Sequence, residues 1–385
     1  MERELKLVLD PADYLRLASS LPGYAGERWL ANHYFDTSSR TLRRCGAMLR
    51  IRETAETRIL GLKQGIEVRG GAFTAAEREE PLDEAAWRRV VRAGGDVAVL
   101  DHPIVRDGLA LAGAAVVPYA GTLRVLRKLY RLAPDAALEL DLALFEDGSQ
   151  DCELEVETDR PESLRPFVEE LLARKGVAWR EQTRTKYERF LAHPTREALE
   201  LCDSREGEVI TVGDGVVVKR APLRGSGVFA TRRFAAGEPV LELKGARVTG
   251  ELPREVGMRW VQVGPHTFLD PAGTIGRHLN HSCAPSAGVR GSRTLVALRP
   301  LEAGEEVVYD YAMTEWELEM VCCCGTPACR GLITGYRGLT EKLRRVYDPF
   351  VSDYLRELGA AAANAPSGEG AQARPERLDA ASDAA

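Results

Sequence analysis

The first residues, MERELKLVLD, alternate charged and apolar positions. A period of two is the signature of a strand with one buried and one polar face. Residues 2–8, 47–53, 58–63, 137–144 and 152–158 all read this way. Helical spacing of apolar positions intervenes at 83–93 and 161–175. Residues 1–193 therefore form a predicted α+β domain. After a short acidic linker at 194–206 the pattern changes. Strand-like runs at 216–220, 239–243, 294–298 and 306–311 are separated by turns containing Gly and Pro. They place a second, mainly-β domain at 207–337. A helix is expected over 338–358. The tail, 359–385, is rich in Ala, Gly, Ser and Pro and is expected to be disordered.

The alternation also sorts charge. Glu2, Glu4 and Lys6 share one strand face, while Leu5 and Leu7 share the other. The same logic aligns Arg50 with Arg52, and Glu153 with Glu155 and Glu157. A face carrying both signs needs a wet interior or a charged ligand, because unpaired buried charge is costly. A triphosphate meets that need. Carboxylates hold Mg²⁺ or Mn²⁺ through oxygen. Arginines and lysines grip phosphate oxygens. A metal-bound water can attack the terminal phosphorus. Any single Glu-x-Glu is better explained as a half-exposed strand; the full ordered set is not.

In order along the chain stand ERELK, YFDT at 34–37, LRIR at 49–52, LGLK ending at Lys63, LELD ending at Asp141 and ELEVE at 153–157. Together they resemble the CYTH family, the triphosphate tunnel metalloenzymes, over nearly all of residues 1–190. The resemblance implies an antiparallel eight-stranded tunnel barrel with the triphosphate in its lumen. It makes Glu2, Glu4, Glu153 and Glu155 metal ligands, with Asp141 assisting at the metal or orienting water. Lys6, Arg50, Arg52 and Lys63 become phosphate binders, with Arg78, Glu80, Arg127 and Lys186 as further candidates whose register is ambiguous. Relatives act on thiamine triphosphate, inorganic tripolyphosphate or ATP, and these motifs do not separate them.

Composition narrows the setting. The chain has 385 residues, enough for two ordinary domains, and is 44% hydrophobic and 29% charged. Its net charge of −6 gives no reason to expect direct nucleic-acid binding. No apolar run reaches the length of a membrane span, and the N-terminus lacks a signal-peptide core. A soluble cytoplasmic protein is expected.

Four of the eight cysteines fall within 322–329. Cys322, Cys324 and Cys329 form C-x-C-x4-C, and Cys283 is the natural fourth ligand of a closed tetrahedral zinc site. Cys323 reads as a bystander, although a register in which it replaces a neighbour is conceivable.

RHLNHSCAPS from Arg277, GEEVVYDYA and CCCGTPACRG follow one another between Arg277 and Gly331, with RGSGVFA further upstream. These pieces resemble a SET-domain protein lysine methyltransferase with a zinc-bound post-SET segment. The resemblance implies that Gly225 and Gly227 let the backbone approach S-adenosylmethionine. It makes Asn280 and His281 cofactor contacts, with Arg277 supporting their loop. Tyr311 becomes the catalytic tyrosine and Tyr309 a wall of the lysine pocket. A tyrosine at 309 implies mono- or dimethylation. Glu306 and Asp310 are expected to be structural. The partners implied are a protein lysine and a triphosphate. LELKGARV lacks the YxGE-like element of eukaryotic relatives, and the stretch 245–276 is short, so a histone target does not follow. A compact SET domain behind a tunnel looks bacterial. Two rival readings keep the same residues: a triphosphatase with a regulatory or vestigial SET domain, or a non-catalytic polyphosphate or nucleotide sensor that steers methylation.

Overall fold

The structure is a computed structural model and describes residues 2–133, 136–145, 148–158, 161–193, 209–221, 225–250 and 260–364. Eight antiparallel strands close the N-terminal barrel: β1 (Glu2–Leu9), β2 (Tyr24–Phe35), β3 (Met48–Glu53), β4 (Arg58–Arg69), β5 (Ala72–Pro81), β6 (Tyr119–Ala133), β7 (Ala136–Leu144) and β8 (Gln150–Glu157). Around the barrel the order is β1-β5-β4-β3-β2-β6-β7-β8, and β8 returns to β1. A short ninth strand, β9 (Trp179–Glu181), pairs with the end of β1 that β5 leaves free. Closure gives each of the eight strands a hydrogen-bonded neighbour on both sides.

The alternation read from the sequence decides which face is lumen. Leu5 and Leu7 point outward into an apolar layer with Leu138, Leu140, Leu154 and Val156. The helices Pro11–Ser20 and Pro161–Arg174 cover that layer. Leu49, Ile51, Leu60 and Leu62 make a second outer layer beneath Trp87, whose helix, Glu84–Arg92, is capped by Asp83 accepting from the Ala86 amide. Burying these faces is the main favourable term, and it forces the intervening charged residues into the interior. The helix Lys186–Ala192 seats Tyr187 and Phe190 against Tyr34, Leu123 and Phe145.

The C-terminal half is a set of small sheets. Val209–Val212, Val216–Ala221 and Gly225–Ala230 form one; Pro239–Glu242, Thr294–Ala297 and Ala287–Arg290 a second; Ala246–Thr249, Thr267–Asp270 and Val261–Gly264 a third. Two-residue ladders complete it. Asn280–His281 runs parallel to Val308–Tyr309, and Met320–Val321 pairs with Leu332–Ile333.

Two expectations need correction. The run 306–311 is not one strand: Glu306 forms an isolated bridge with Phe229, Val308–Tyr309 pairs with Asn280–His281, and Tyr311 opens a 3-10 turn. The Asp310 carboxylate accepts from the Ala312 amide and so competes with the ladder. The single helix over 338–358 is two, Glu341–Tyr347 and Asp353–Asn364, broken at Pro349, which has no amide hydrogen to donate. The second helix runs past residue 359, where the tail was expected to begin. The linker 194–206 and the tail beyond Asn364 lie outside the described residues. Among the described residues no helix is long and apolar enough to cross a membrane.

The two halves are in contact. Val321 is buried in the outer apolar layer of the barrel. Its amide donates to Gln150 Oε1 at 2.8 Å, and its carbonyl accepts from Gln150 Nε2 at 3.1 Å.

Candidate functional site

The barrel interior holds a cavity of about 910 Å³, partly open to solvent. At one side Arg127, Asp141 and Glu153 stand side by side on β6, β7 and β8, and Lys6 faces Glu155 across β1 and β8. Arg127 grips Asp141 with two bonds of 2.8 and 2.7 Å and reaches Glu155 at 2.8 Å. Lys186 lies 2.8 Å from Asp141 and also contacts Glu153 and Glu155. Arg189 contacts Glu153 at 2.6 Å. Burial would push the Glu155 carboxyl up, but Lys186, Lys6 and Arg127 hold it well below the usual range. Burial likewise pulls the Lys6 ammonium down, and Glu155 and Glu4 more than reverse it.

The other side carries Arg50, Arg52 and Lys63 against Glu77 and Glu79. Lys63 pairs with Glu77 at 3.2 Å, and Arg50 with Glu77 and Glu79 at 3.0 Å each. Burial and the adjacent Arg50 guanidinium pull Arg52 down to about 10. A guanidinium so crowded gains from an anion. The carboxylates of Asp141, Glu153 and Glu155 offer oxygens within 4.8 Å of one another. An all-oxygen set suits Mg²⁺ or Mn²⁺.

A second cavity, about 940 Å³ and also partly open, lies between the halves. Asn280, His281 and Tyr311 line it. The Tyr311 hydroxyl donates to the Leu279 carbonyl at 2.9 Å, and its ring lies 5.2 Å from those of both His281 and Tyr309. Asn280 donates to the Ser226 carbonyl and to Glu306, each at 2.8 Å. Tyr309 is buried behind Tyr311, its hydroxyl 3.4 Å from Thr314 Oγ1. Burial first, then Tyr311 and Glu315, keeps its hydroxyl protonated.

The cysteines converge at the rim of this cavity. Cys283 and Cys322 thiols are 3.8 Å apart, the edge of a tetrahedron whose metal–sulfur bonds are about 2.3 Å. The Cys322 hydrogen bond, aided by His281, pulls the Cys283 thiol down to about 4 although burial opposes it. His281, Cys283, Cys322 and Cys324 present ligand atoms within 4.8 Å of one another, and the Cys329 thiol interacts with those of Cys322 and Cys324. Five donors thus surround a place for four. The Tyr311 amide faces His281 Nδ1 at 3.3 Å. An amide can only donate, so the ring proton belongs on Nε2, 3.4 Å from Cys283 Sγ. That tautomer makes His281 a donor to the thiolate and favours Cys329 as the fourth ligand.

Residues 1–191 match the CYTH domain family, and residues 225–312 match the SET domain family. The chain joins a CYTH domain to a SET domain. The SET half is similar to a histone-lysine N-methyltransferase, H3 lysine-4 specific, of Candida albicans, 30% identical over 140 residues. That alignment covers 31% of this chain and 14% of the relative. It is similar also to the histone-lysine N-methyltransferase trithorax of Drosophila virilis, 29% identical over 138 residues, 31% of this chain and 4% of the relative. The chain therefore spans a small part of these relatives. Among solved structures, an adenylyl cyclase candidate from Hippeastrum, HpAC1, with a dominant triphosphatase activity, is 26% identical with a TM-score of 0.47. It matches 50% of this chain and 96% of its own.

Within the CYTH barrel, Glu4, Lys6, Arg50, Arg52, Lys63, Arg127, Asp141, Glu155 and Lys186 all line the lumen. Two positions, Arg78 and Glu4, are placed otherwise than expected. Arg78 is on the outer face, half-exposed and paired with Asp107 and Glu80; its neighbours Glu77 and Glu79 face inward instead. Glu4 sits with Lys6 at 3.0 Å and near Lys63, while Asp141 joins Glu153 and Glu155. Of Glu2 only the backbone, in β1, is described.

In the SET domain the two glycines make room for protein groups. A Cβ on Gly227 would lie 2.6 Å from Glu306 Oε1 and 3.2 Å from Asn280 Nδ2. Gly225 has φ +84°, and a Cβ there would meet the Arg124 guanidinium at 2.6 Å. Arg330 was missed by sequence reading: directly after Cys329, it holds buried Asp310 together with the Tyr347 hydroxyl. Its only sequence signal is its place after Cys329.

Proposed function

We propose that this chain is an S-adenosylmethionine-dependent protein-lysine N-methyltransferase whose CYTH tunnel binds, and hydrolyses, a triphosphate with Mg²⁺ or Mn²⁺. The observation that carries the first half is the meeting of Asn280, His281 and Tyr311 in one cleft beside four converging thiols. A lysine side chain is protonated in water, with a pKa of ~10.4, and only the neutral amine attacks. Tyr311 has its proton committed to Leu279 and offers its oxygen to an entering ammonium. Buried Tyr309 packs against Tyr311, the ring centres 5.2 Å apart, and would form the wall of the lysine pocket. Both position the amine rather than remove its proton outright. Zinc on Cys283, Cys322, Cys324 and Cys329 would supply fold stability to the segment that rims the cleft. Thiols held for a metal suit a cytoplasmic setting.

In the tunnel, Asp141, Glu153 and Glu155 would hold the divalent ion, with Glu4 and Glu2 as outer candidates. Lys6, Arg50, Arg52, Lys63, Arg127 and Lys186 would grip the phosphates. The ion supplies charge neutralisation and an activated water. The curated relatives are named for histone lysine; the substrate proposed here is a protein lysine, without further specification.

The test uses the full chain with radiolabelled S-adenosylmethionine and a cell lysate. Label should enter protein and fall sharply in Tyr311→Phe. No label with the unmodified chain overturns the methyltransferase. In parallel, phosphate release from tripolyphosphate, thiamine triphosphate and ATP should require the divalent ion and be lost in Glu155→Gln. Release that ignores both metal and Glu155 overturns the tunnel assignment.

A further inference from the structure

Strand β6 is a shared wall. Val125 and Arg127 face the triphosphate tunnel. Alternation turns Arg124 to the opposite side, and there it lines the cleft that holds Asn280, His281 and Tyr311. Arg124 does not merely border the SET domain. Its guanidinium lies so close to Gly225 that a Cβ at that glycine would be 2.6 Å from Cζ. The missing Cβ of Gly225, which also takes a left-handed φ of +84°, is what lets an arginine of the other domain approach the start of this strand.

Arg277 lines the same cleft from the SET side. Its Nη2 is buried and has no hydrogen-bond partner among the described residues. A buried guanidinium nitrogen without an acceptor is costly, and it points to an anionic group that the cleft receives. Among the described residues no Asp or Glu lines the cleft, whereas two arginines do. Of the charged parts of a methyl-donor molecule of the S-adenosylmethionine type, the sulfonium and ammonium are repelled by such a pair. The carboxylate is attracted, and a guanidinium can hold it with two parallel bonds.

We propose that Arg124 of the CYTH domain, together with Arg277, binds the carboxylate of the methyl donor, so that the methyl-donor site is built from both domains. The proposal rests on reading the cleft as the methyl-donor site. It adds a residue that no SET domain alone would contain.

The experiment is titration calorimetry on the full chain and on Arg124→Gln, with two probes. One is S-adenosylmethionine; the other is 5′-methylthioadenosine, which lacks the amino-acid part. Loss of one charge-assisted contact should weaken S-adenosylmethionine by about 10–100-fold and leave methylthioadenosine within about twofold. Phosphate release from the tunnel should be unchanged, reporting an intact fold. Equal weakening of both probes would make Arg124 a shaper of the cleft and overturn the carboxylate assignment. Unchanged binding of S-adenosylmethionine would remove Arg124 from the site. If the unmodified chain binds neither probe, the reading of the cleft itself fails, and the proposal with it.

Discussion

Single residues set opposing pH dependences. Glu155 is held well below the usual carboxyl range despite burial, by Lys186, Lys6 and Arg127. Folded Glu155 binds fewer protons than unfolded, so its contribution is full at neutral pH and is lost as pH falls below about 4.3. Glu315 goes the other way: burial pushes it from 4.5 up to about 7, while the Gln262 amide opposes. Folded Glu315 retains a proton between those values, so stability falls as pH rises through that window. Glu315→Gln removes the ionisation and keeps an acceptor for Gln262. Melting midpoints of the variant and the parent should agree near pH 5, with the variant higher at pH 8. A difference independent of pH would refute this. At Tyr309 the hydroxyl lies 3.4 Å from Thr314 Oγ1. If Tyr309 walls the lysine pocket as proposed, Tyr309→Phe removes that hydroxyl and should shift products toward trimethyl-lysine, read by mass spectrometry of the labelled protein. An unchanged product ratio would show that the wall does not limit methylation.

At the scale of elements, legibility followed the presence of an apolar face. Strands β1, β3, β7 and β8 each bury one, so alternation put Glu4 with Lys6, Arg50 with Arg52 and Glu153 with Glu155 on polar faces, and the CYTH resemblance turned those faces, with Asp141, to the lumen. Strand β5 carries charge on consecutive positions, Glu77-Arg78-Glu79-Glu80, and its pairing with β4 shifts register between Gln64 and Glu67. With no apolar face to fix the phase, sequence reading chose Arg78 and missed Glu77 and Glu79. The cysteine knuckle was legible for a different reason: ligand spacing is a covalent constraint that needs no register. Cys323 packs toward the apolar outer layer of the barrel, away from the ligand set. Cys323→Ser should therefore retain about one zinc per chain, and Cys283→Ser should lose it, with metal content measured after dialysis. Retention in Cys283→Ser would remove that thiol from the site. What spacing could not show was the contact of this segment with the other domain, because nothing local in a sequence marks a surface that meets a distant strand.

At the scale of the whole molecule, that contact is a small apolar anchor with a polar clamp. Val321 is buried in the barrel's outer apolar layer, beside the helix Pro11–Ser20 and one residue before a proposed zinc ligand. Gln150 satisfies both the Val321 amide and carbonyl. The anchor thus holds the cysteine segment, the cleft rim and the tunnel wall in one arrangement. Val321→Asp would force a carboxylate without a cationic partner into that layer, at a cost of at least about 3 kcal/mol. Interfaces between domains of one chain hold together by a modest surplus, so the halves should separate rather than bury the charge. Each half has its own core, the layers around Leu5 and Leu49 in one and around Val289 and Leu295 in the other. Both should therefore stay folded. Calorimetry should then resolve two unfolding transitions. Phosphate release should persist within about twofold, and methyl transfer should drop by about tenfold or more, because the cleft loses the wall that β6 provides. Methyl transfer that survives separation of the halves would show that the SET domain works alone, and the shared wall would then be a feature of packing only.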